Sequence, residues 1–220
     1  MPKTIVIFFG PPGSGKGTQA EMLAKLTGWK KISTGDLFRA EIAAKTKLGI
    51  LADRYIKQGK LVPGKVTASL VEKSLKQKAS GFIFDGFPRN RGQLKELLMI
   101  FAKIFKKKDQ IYALEVAVSD REVKRRLGQR RLCACGKVYH LAYNPPINNG
   151  LCDICGGQLF TRNDDKPKVI AHRLKVYHHD GEPLLDYFKK QGKLIKINGE
   201  QAIAKIHKDI MEELSGLKLV

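Results

Sequence analysis

Hydrophobic positions along this chain follow two alternating patterns. Short apolar runs bounded by polar or turn residues predict buried β-strands. These runs lie at Ile5–Phe9, Lys31–Ile32, Gly81–Phe84, Ile111–Val118 and Leu194–Ile197. Between them apolar residues recur every three or four positions, which predicts helices. The predicted helices are Gly17–Leu26, Asp36–Lys45, Leu48–Lys57, Lys65–Lys78, Arg91–Phe105, Arg121–Arg130 and Gln201–Leu214.

The alternation of strands and helices predicts an α/β fold with a central parallel sheet covered on both faces. Ligands of such sheets bind at the carboxyl ends of the strands. One segment, from Leu132 to about Lys168, departs from the pattern, because it holds all four cysteines, two turn dipeptides and little helical period. We interpret this segment as a small inserted subdomain within one domain spanning residues 1–220.

Charge narrows the range of partners. The chain has 41 Lys and Arg against 21 Asp and Glu, a net charge of +20, which favours anionic partners such as nucleotides or nucleic acid. The basic residues are scattered and not interleaved with aromatics, so a solvated basic surface is the simpler interpretation, with RNA binding as an alternative. No apolar run approaches the ~20 residues that span a bilayer, and without an export signal we expect a cytoplasmic protein.

A phosphate-binding loop follows the first predicted strand. Residues Gly10 to Thr18 read Gly-Pro-Pro-Gly-Ser-Gly-Lys-Gly-Thr, and such glycines let successive N–H groups point inward at a polyphosphate. Lys16 adds a point charge for the phosphates. Gly17 stands where Ser or Thr is usual, and the hydroxyl comes one place later, at Thr18. A direct hydroxyl ligand for Mg²⁺ is therefore missing at the usual position.

Two further motifs bring acids and arginines to strand ends. Asp85 closes a buried strand and continues into Gly-Phe-Pro-Arg, which places a carboxylate where Mg²⁺ is held directly or through water and points Arg89 toward the phosphates. The alternative for Asp85 is a capping residue. The segment Ile32–Arg39 places a hydroxyl, a carboxylate and an arginine near one another, although a helix start alone accounts for it equally well.

Five arginines flank the cysteine segment: Arg126, Arg130, Arg131, Arg162 and Arg173. Arginines at the two roots of one insertion would close over phosphates like a hinged flap, expelling water and neutralising charge. The adjacent Asp164-Asp165 either pairs with these arginines or forms a solvated acidic turn.

The four cysteines have metal-ligand spacing. Cys133-x-Cys135 and Cys152-x-x-Cys155 resemble a zinc ribbon, in which a structural four-thiolate Zn²⁺ substitutes for a hydrophobic core. The first pair is one residue shorter than the usual C-x-x-C. His140 could substitute as a ligand, although a polar lid residue is the simpler interpretation of it. The alternative interpretation of the four cysteines is two disulfides, which a reducing cytoplasm disfavours.

These motifs together resemble the adenylate kinase family from Lys3 to about Leu214, most specifically in Gly10–Ala20, Ile32–Arg39 and Asp85–Arg89. Glycine at position 17 is itself a feature of the family, and long-lid bacterial members often carry a four-cysteine zinc site in the lid. The resemblance implies a P-loop core, a nucleoside-monophosphate flap at 33–62 and a lid at 126–173. It also implies a monomer that transfers phosphate in line between Mg²⁺·ATP and AMP, giving ADP, without a covalent intermediate.

The resemblance also implies roles for individual residues. ATP would contact Gly13, Ser14, Gly15, Lys16, Gly17, Thr18, Arg126 and Arg130, with Arg126 against the base. AMP would contact Thr34, Arg39, Val62, Gly86, Arg89, Gln93, Arg162 and Arg173, with Thr34 and Gln93 at the adenine. The catalytic set would be Lys16, Asp85, Arg89, Arg130, Arg162 and Arg173, in which Asp85 orders Mg²⁺ through water.

Substrate choice rests on two neighbouring residues. Asn90 resembles the residue found in UMP/CMP kinases, whereas Gln93 and the long lid favour AMP. A UMP/CMP kinase, and an AMP kinase that uses GTP as donor, remain alternatives. A zinc-ribbon protein that binds RNA is a remoter one, because it leaves the three kinase motifs unexplained.

Overall fold

The computed structural model describes residues 2–106 and 108–220, and Met1 and Lys107 lie outside these ranges. The described residues form these strands: β1 (Thr4–Phe9), β2 (Lys30–Ser33), β3 (Gly81–Asp85), β4 (Gln110–Ala117), β5 (Arg130–Cys133), β6 (Val138–His140), β7 (Leu159–Phe160) and β8 (Leu194–Asn198). The α-helices are α1 (Lys16–Thr27), α2 (Thr34–Ala43), α3 (Lys47–Lys57), α4 (Gly64–Leu75), α5 (Arg91–Ile104), α6 (Asp120–Gln129), α7 (Pro167–Val176), α8 (Glu182–Lys190) and α9 (Ile203–Gly216).

Five strands form a central sheet in the order β2-β3-β1-β4-β8, and all neighbouring pairs are parallel. Successive side chains of a strand point to opposite faces. In β1, Ile5 and Ile7 accordingly pack against α4, α5 and α8, whereas Val6 and Phe8 pack against α1 and α9. Because both faces of β1 are buried, its sequence is a continuous apolar run. The predicted α/β fold with a covered parallel sheet is confirmed.

Strand register sets the position of the functional edge. In the parallel ladders Asp85 pairs with Phe8 on one side and with Ser33 on the other. The carboxyl ends of β1, β2 and β3 are therefore level, and the residues that follow them meet at one edge of the sheet.

The predicted elements differ from the observed ones mainly at their ends. Helix α2 begins at Thr34, two residues early, because the side chain of Ser33 accepts a hydrogen bond from the Asp36 N–H at 3.3 Å and caps the helix. Helix α4 ends at Leu75, three residues before the predicted end.

Helices α7 and α8 were not predicted from the sequence. A π-helical turn at Tyr177–Gly181 joins them into one helical segment. A π turn inserts an extra residue into the helix. Ile170, Leu174, Leu184 and Phe188 are nevertheless buried and recur at helical spacing along the sequence, so the sequence did contain a signal for this segment.

The cysteine segment forms its own small sheet, antiparallel and ordered β6-β5-β7. Its hydrophobic cluster consists of Cys133, Tyr139 and Cys152, with Leu159 partly buried against them. This cluster is too small to stabilise a fold by hydrophobic burial alone. Across the described residues, no helix combines the length and the apolarity needed to cross a membrane.

Candidate active site

The phosphate-binding motif, residues 10–18, approaches neighbouring segments closely at Gly13 and at Gly17. A Cβ at Gly13, whose φ is +78°, would lie 2.7 Å from Leu127 Cγ. A Cβ at Gly17 would lie 3.1 Å from Asp85 Oδ2. Gly17 therefore makes room for the Asp85 carboxylate, which gives a physical reason for glycine where Ser or Thr is usual.

Lys16 is the first residue of α1, directly after the loop, and is surrounded by charges from several segments. Its Nζ donates a hydrogen bond to the Pro11 carbonyl at 3.0 Å. Burial lowers the pKa of Lys16 to about 8; the Asp85 carboxylate opposes this shift, and the positive charges of Arg89, Arg173 and Arg130 add to it. The sheet edge and both roots of the lid thus bring their charged groups together around Lys16.

Arg89 follows β3 at the carboxyl edge of the central sheet. Its side chain is exposed to water, yet the protein around it desolvates the guanidinium, and this effect and the charge of Arg173 lower the pKa of Arg89. Arg89 Nε donates to the Gly86 carbonyl at 2.7 Å, and Thr34 Oγ1 donates to the same carbonyl at 2.9 Å. These contacts hold Arg89 and Thr34 on either side of Gly86.

Arg39 and Val62 lie on the segment that includes α2 and α3. Arg39 forms an ion pair with Asp36 one helical turn earlier, and its charge contributes to lowering the pKa of both Arg89 and Arg162. Val62 is buried against Phe38. Arg39 is therefore near Arg89 and Arg162, whereas Val62 packs inside the segment that carries Arg39.

Asn90 and Gln93 have different partners, which bears on substrate choice. Asn90 Oδ1 accepts the Gln93 N–H at 2.8 Å and caps the start of α5. Gln93 Oε1 accepts the Arg89 N–H at 2.7 Å. With its oxygen occupied, the buried Gln93 side chain has its amide NH₂ left as a hydrogen-bond donor. The helix start accounts for the presence of Asn90.

At the first root of the lid, Arg126 bridges three segments. Its Nη1 donates to the Ser14 carbonyl at 3.2 Å, its Nη2 to the Gly199 carbonyl at 2.8 Å, and its Nε to Glu122 Oε1 at 2.7 Å. Arg126 therefore lies beside the phosphate loop. Arg131 instead donates to the carbonyls of Gly128 and Arg130.

The two roots of the lid meet through Asp164 and Asp165. Arg130 forms a two-point ion pair with Asp165. Arg173 Nη1 lies 3.3 Å from Asp165 Oδ1 and 3.0 Å from Asp164 Oδ2. The sequence allowed either contact with the arginines or a solvated acidic turn for Asp164 and Asp165, and the structure shows contact with the arginines.

Arg162 retains unused hydrogen-bonding capacity. Its Nε is buried and has no hydrogen-bond partner among residues 2–106 and 108–220. Burial lowers its pKa to about 10, and the charges of Arg130 and Arg39 contribute to the shift. A buried donor without a partner is costly, so this position suits an anionic ligand.

The four thiols of the lid form one cluster, and their ligand atoms all lie within 4.8 Å of one another. Cys133 Sγ is 3.3 Å from Cys155 Sγ, and Cys135 Sγ is 3.6 Å from Cys152 Sγ. Four thiolates at about 2.3 Å from Zn²⁺ in a tetrahedron are about 3.8 Å apart. The donor set and its spacing fit Zn²⁺, and the shorter Cys-x-Cys pair does not prevent the four sulfurs from converging.

His140 has other partners within the lid. Its Nδ1 accepts hydrogen bonds from the N–H groups of Ala142 and Tyr143, and its ring lies 4.6 Å from that of Tyr143. These contacts agree with the interpretation of His140 as a polar lid residue.

Two residues with functional contacts, Glu122 and Tyr139, were not predicted from the sequence. Glu122 hydrogen-bonds to Arg125 and Arg126, and these bonds lower the pKa of its carboxyl to about 2. The i, i+4 spacing of Glu122 and Arg126 was a usable signal. Tyr139 contacts Cys152 across the lid, which no local pattern indicates.

Comparison with known proteins agrees with this geometry. A family model described as adenylate kinase matches residues 8–193. An adenylate kinase of Methanosarcina barkeri is 42% identical over 93% of this chain and 95% of its own length. One from Geobacillus sp. strain WCH70 is 43% identical over 97% of this chain and 99% of its own, and one from Archaeoglobus fulgidus is 42% identical with the same coverage. The chain therefore belongs to the adenylate kinase family, whose reaction is ATP + AMP = 2 ADP.

Proposed function

We propose that the enzyme holds ATP at the phosphate loop and AMP beneath the 33–62 flap, with their phosphates facing each other across the charged cleft. The observation that carries this assignment is the group of charges around Lys16, in which Asp85, Arg89, Arg130 and Arg173 all act on one ammonium. A site with so many cations suits two polyanionic substrates.

On the ATP side, the backbone N–H groups of the loop would cradle the phosphates. The loop residues concerned are Gly13, Ser14, Gly15, Gly17 and Thr18. Lys16 would exchange its bond to the Pro11 carbonyl for one to the β- and γ-phosphates. Arg126, which lies beside Ser14 and Gly199, would place its planar guanidinium against the base.

On the AMP side, Arg39 and Arg89 would hold the phosphate, and Thr34, Val62 and Gly86 would line the pocket. Gln93 would read the base with its amide NH₂, because its Oε1 is occupied by the Arg89 N–H. Adenine presents an acceptor at N1, whereas guanine presents a donor there. A donor fixed at this position therefore favours AMP over GMP.

Arg130, Arg162 and Arg173 would surround the transferred phosphoryl group. Phosphoryl transfer has little covalent chemistry for a protein to perform, so positioning and charge stabilisation supply the catalysis. Adenylate kinases use Mg²⁺ with ATP, and a bound ion would neutralise negative charge on the phosphates. Asp85, next to Gly17, would hold that ion through water, since position 17 offers no hydroxyl.

The lid at 126–173 would close over ATP as a unit stabilised by structural Zn²⁺ on Cys133, Cys135, Cys152 and Cys155. Four thiolates leave no open coordination position, so the metal would take no part in the reaction. The expected cytoplasmic location fits this assignment, because a reducing compartment keeps thiols available for metal. All the assigned residues belong to one chain, so a monomer suffices.

A panel of substrates tests the assignment. Purified enzyme with Mg²⁺ and either ATP or GTP is offered AMP, UMP, CMP or GMP, and diphosphate formation is measured. We expect turnover with ATP and AMP. The variant Asn90→Ser, which keeps a helix cap but removes the amide, should retain the preference for AMP. Turnover of UMP or CMP would refute the role given to Gln93. Equal rates with ATP and GTP would show that the donor site does not discriminate between the two bases.

A further inference from the structure

The hydroxyl of Tyr139 lies inside the lid beside the cysteine cluster. Tyr139 is only 1% exposed and is among the largest fully buried side chains. Its Oη accepts the Asp153 N–H at 2.8 Å and lies 3.4 Å from Cys152 Sγ. Tyr139 belongs to β6, between the two cysteine pairs in sequence, so its hydroxyl reaches from the lid sheet to the second pair.

The direction of the contact between Tyr139 and Cys152 follows from counting protons. A tyrosine hydroxyl has one proton to donate, and its oxygen is already bonded to the Asp153 N–H. If the Cys152 thiol donated to that oxygen, the tyrosine proton would be buried without an acceptor, which is costly. The hydroxyl therefore donates and the sulfur accepts.

The Tyr139 hydroxyl is thus a hydrogen-bond donor directed at Cys152 Sγ. Such a donor suits a thiolate that ligates a metal, because groups that hydrogen-bond to a metal ligand orient it and tune its bond to the metal.

We propose that Tyr139 is a positioning residue for the zinc site, and that its hydroxyl donates an O–H···S hydrogen bond to the Cys152 thiolate and slows the loss of the metal. This role rests on the zinc assignment made above. Loss of a group that hydrogen-bonds to a metal ligand weakens metal binding by about 10- to 100-fold, so the hydroxyl should matter measurably for zinc retention.

The matched variants Tyr139→Phe and Tyr143→Phe test this role. Both remove one hydroxyl from the lid, but the Tyr143 hydroxyl contacts Arg125 and Glu122 instead of the cysteines. The zinc-loaded full-length enzymes are mixed with excess chromogenic chelator, and zinc transfer is followed by absorbance. We expect transfer from Tyr139→Phe to be about tenfold faster than from wild type, with Tyr143→Phe at the wild-type rate. Equal rates for wild type and Tyr139→Phe would overturn the role of the hydroxyl.

A measurement on the wild type needs no variant and decides the matter if Tyr139→Phe does not fold. In enzyme loaded with ¹¹³Cd, the Tyr139 hydroxyl proton should show scalar coupling to the metal through Cys152 Sγ. Absence of this coupling, with cadmium bound to all four thiolates, would refute the hydrogen bond. A wild-type enzyme that takes up neither zinc nor cadmium would instead refute the zinc site itself.

Discussion

Arg130 and Asp165 form a two-point ion pair, with 2.8 Å from Nε to Oδ2 and 2.6 Å from Nη2 to Oδ1. They lie 35 positions apart in the chain and join the two roots of the lid. The Asp165 side chain is fully buried and also lies 3.3 Å from Arg173 Nη1. One carboxylate thus fixes two of the three arginines that we assign to the transferred phosphoryl group.

The first prediction concerns this carboxylate. Asp165→Asn should lower kcat at least tenfold and destabilise the fold by about 3–5 kcal/mol, because breaking a buried ion pair leaves uncompensated charge. Asp164→Asn is the matched control, since Arg173 keeps its bond to the Asp164 main-chain carbonyl at 2.9 Å. Steady-state kinetics and denaturant unfolding measure both effects. Equal losses of kcat and stability in the two variants would show that Asp165 does not hold the arginines more strongly than Asp164 does.

The second prediction separates binding from stability at Arg89. Arg89→Ala should reduce kcat/KM for AMP at least a hundredfold, since charge-assisted hydrogen bonds to phosphate contribute about 1.5–3 kcal/mol each. The melting temperature should be unchanged or slightly higher, because the positive charges of Arg173 and Arg39 disfavour the Arg89 cation. The control is Arg91→Ala, an exposed arginine in the first turn of α5. Near-normal turnover of purified Arg89→Ala would contradict the site.

The third prediction is a pH dependence set by Lys16. Its pKa is lowered from 10.5 to about 8 by burial and by neighbouring arginines, so the free enzyme loses this positive charge as the pH rises through about 8. Because kcat/KM reports ionisations of the free enzyme, kcat/KM for ATP should fall tenfold per pH unit above that value. Bound phosphates favour the charged form, so kcat should stay level to higher pH. A kcat/KM that remains flat to about pH 9.5 would contradict this assignment.

Much of the fold could be predicted from the sequence because its signals are local. The run Ile5–Phe9 and the glycine-rich loop after it determine their own conformation. Helices α7 and α8 were not predicted, although their buried residues recur at helical spacing, because the polar, glycine-containing stretch Tyr177–Gly181 separates the two apolar groups. The pairing of Arg130 with Asp165 could not be decided from the sequence, because the two residues meet only after the whole lid between them has folded. Boundaries of the flap and lid as moving units stay a prediction.

The last prediction concerns Cys152, and its expected result follows from the size of the lid core. Cys133, Tyr139 and Cys152 form its hydrophobic cluster, and a cluster of this size needs metal to stabilise it. Cys152→Ala should therefore raise amide hydrogen exchange at least tenfold in β5, β6 and β7, while exchange in β1, β3 and β4 stays within about twofold of wild type. Removing zinc from the wild type with a chelator should reproduce this pattern, and chelator should have no further effect on Cys152→Ala. Uniform acceleration in both sheets would mean that the lid and the core unfold together, and an unchanged lid after chelation would mean that zinc does not stabilise it.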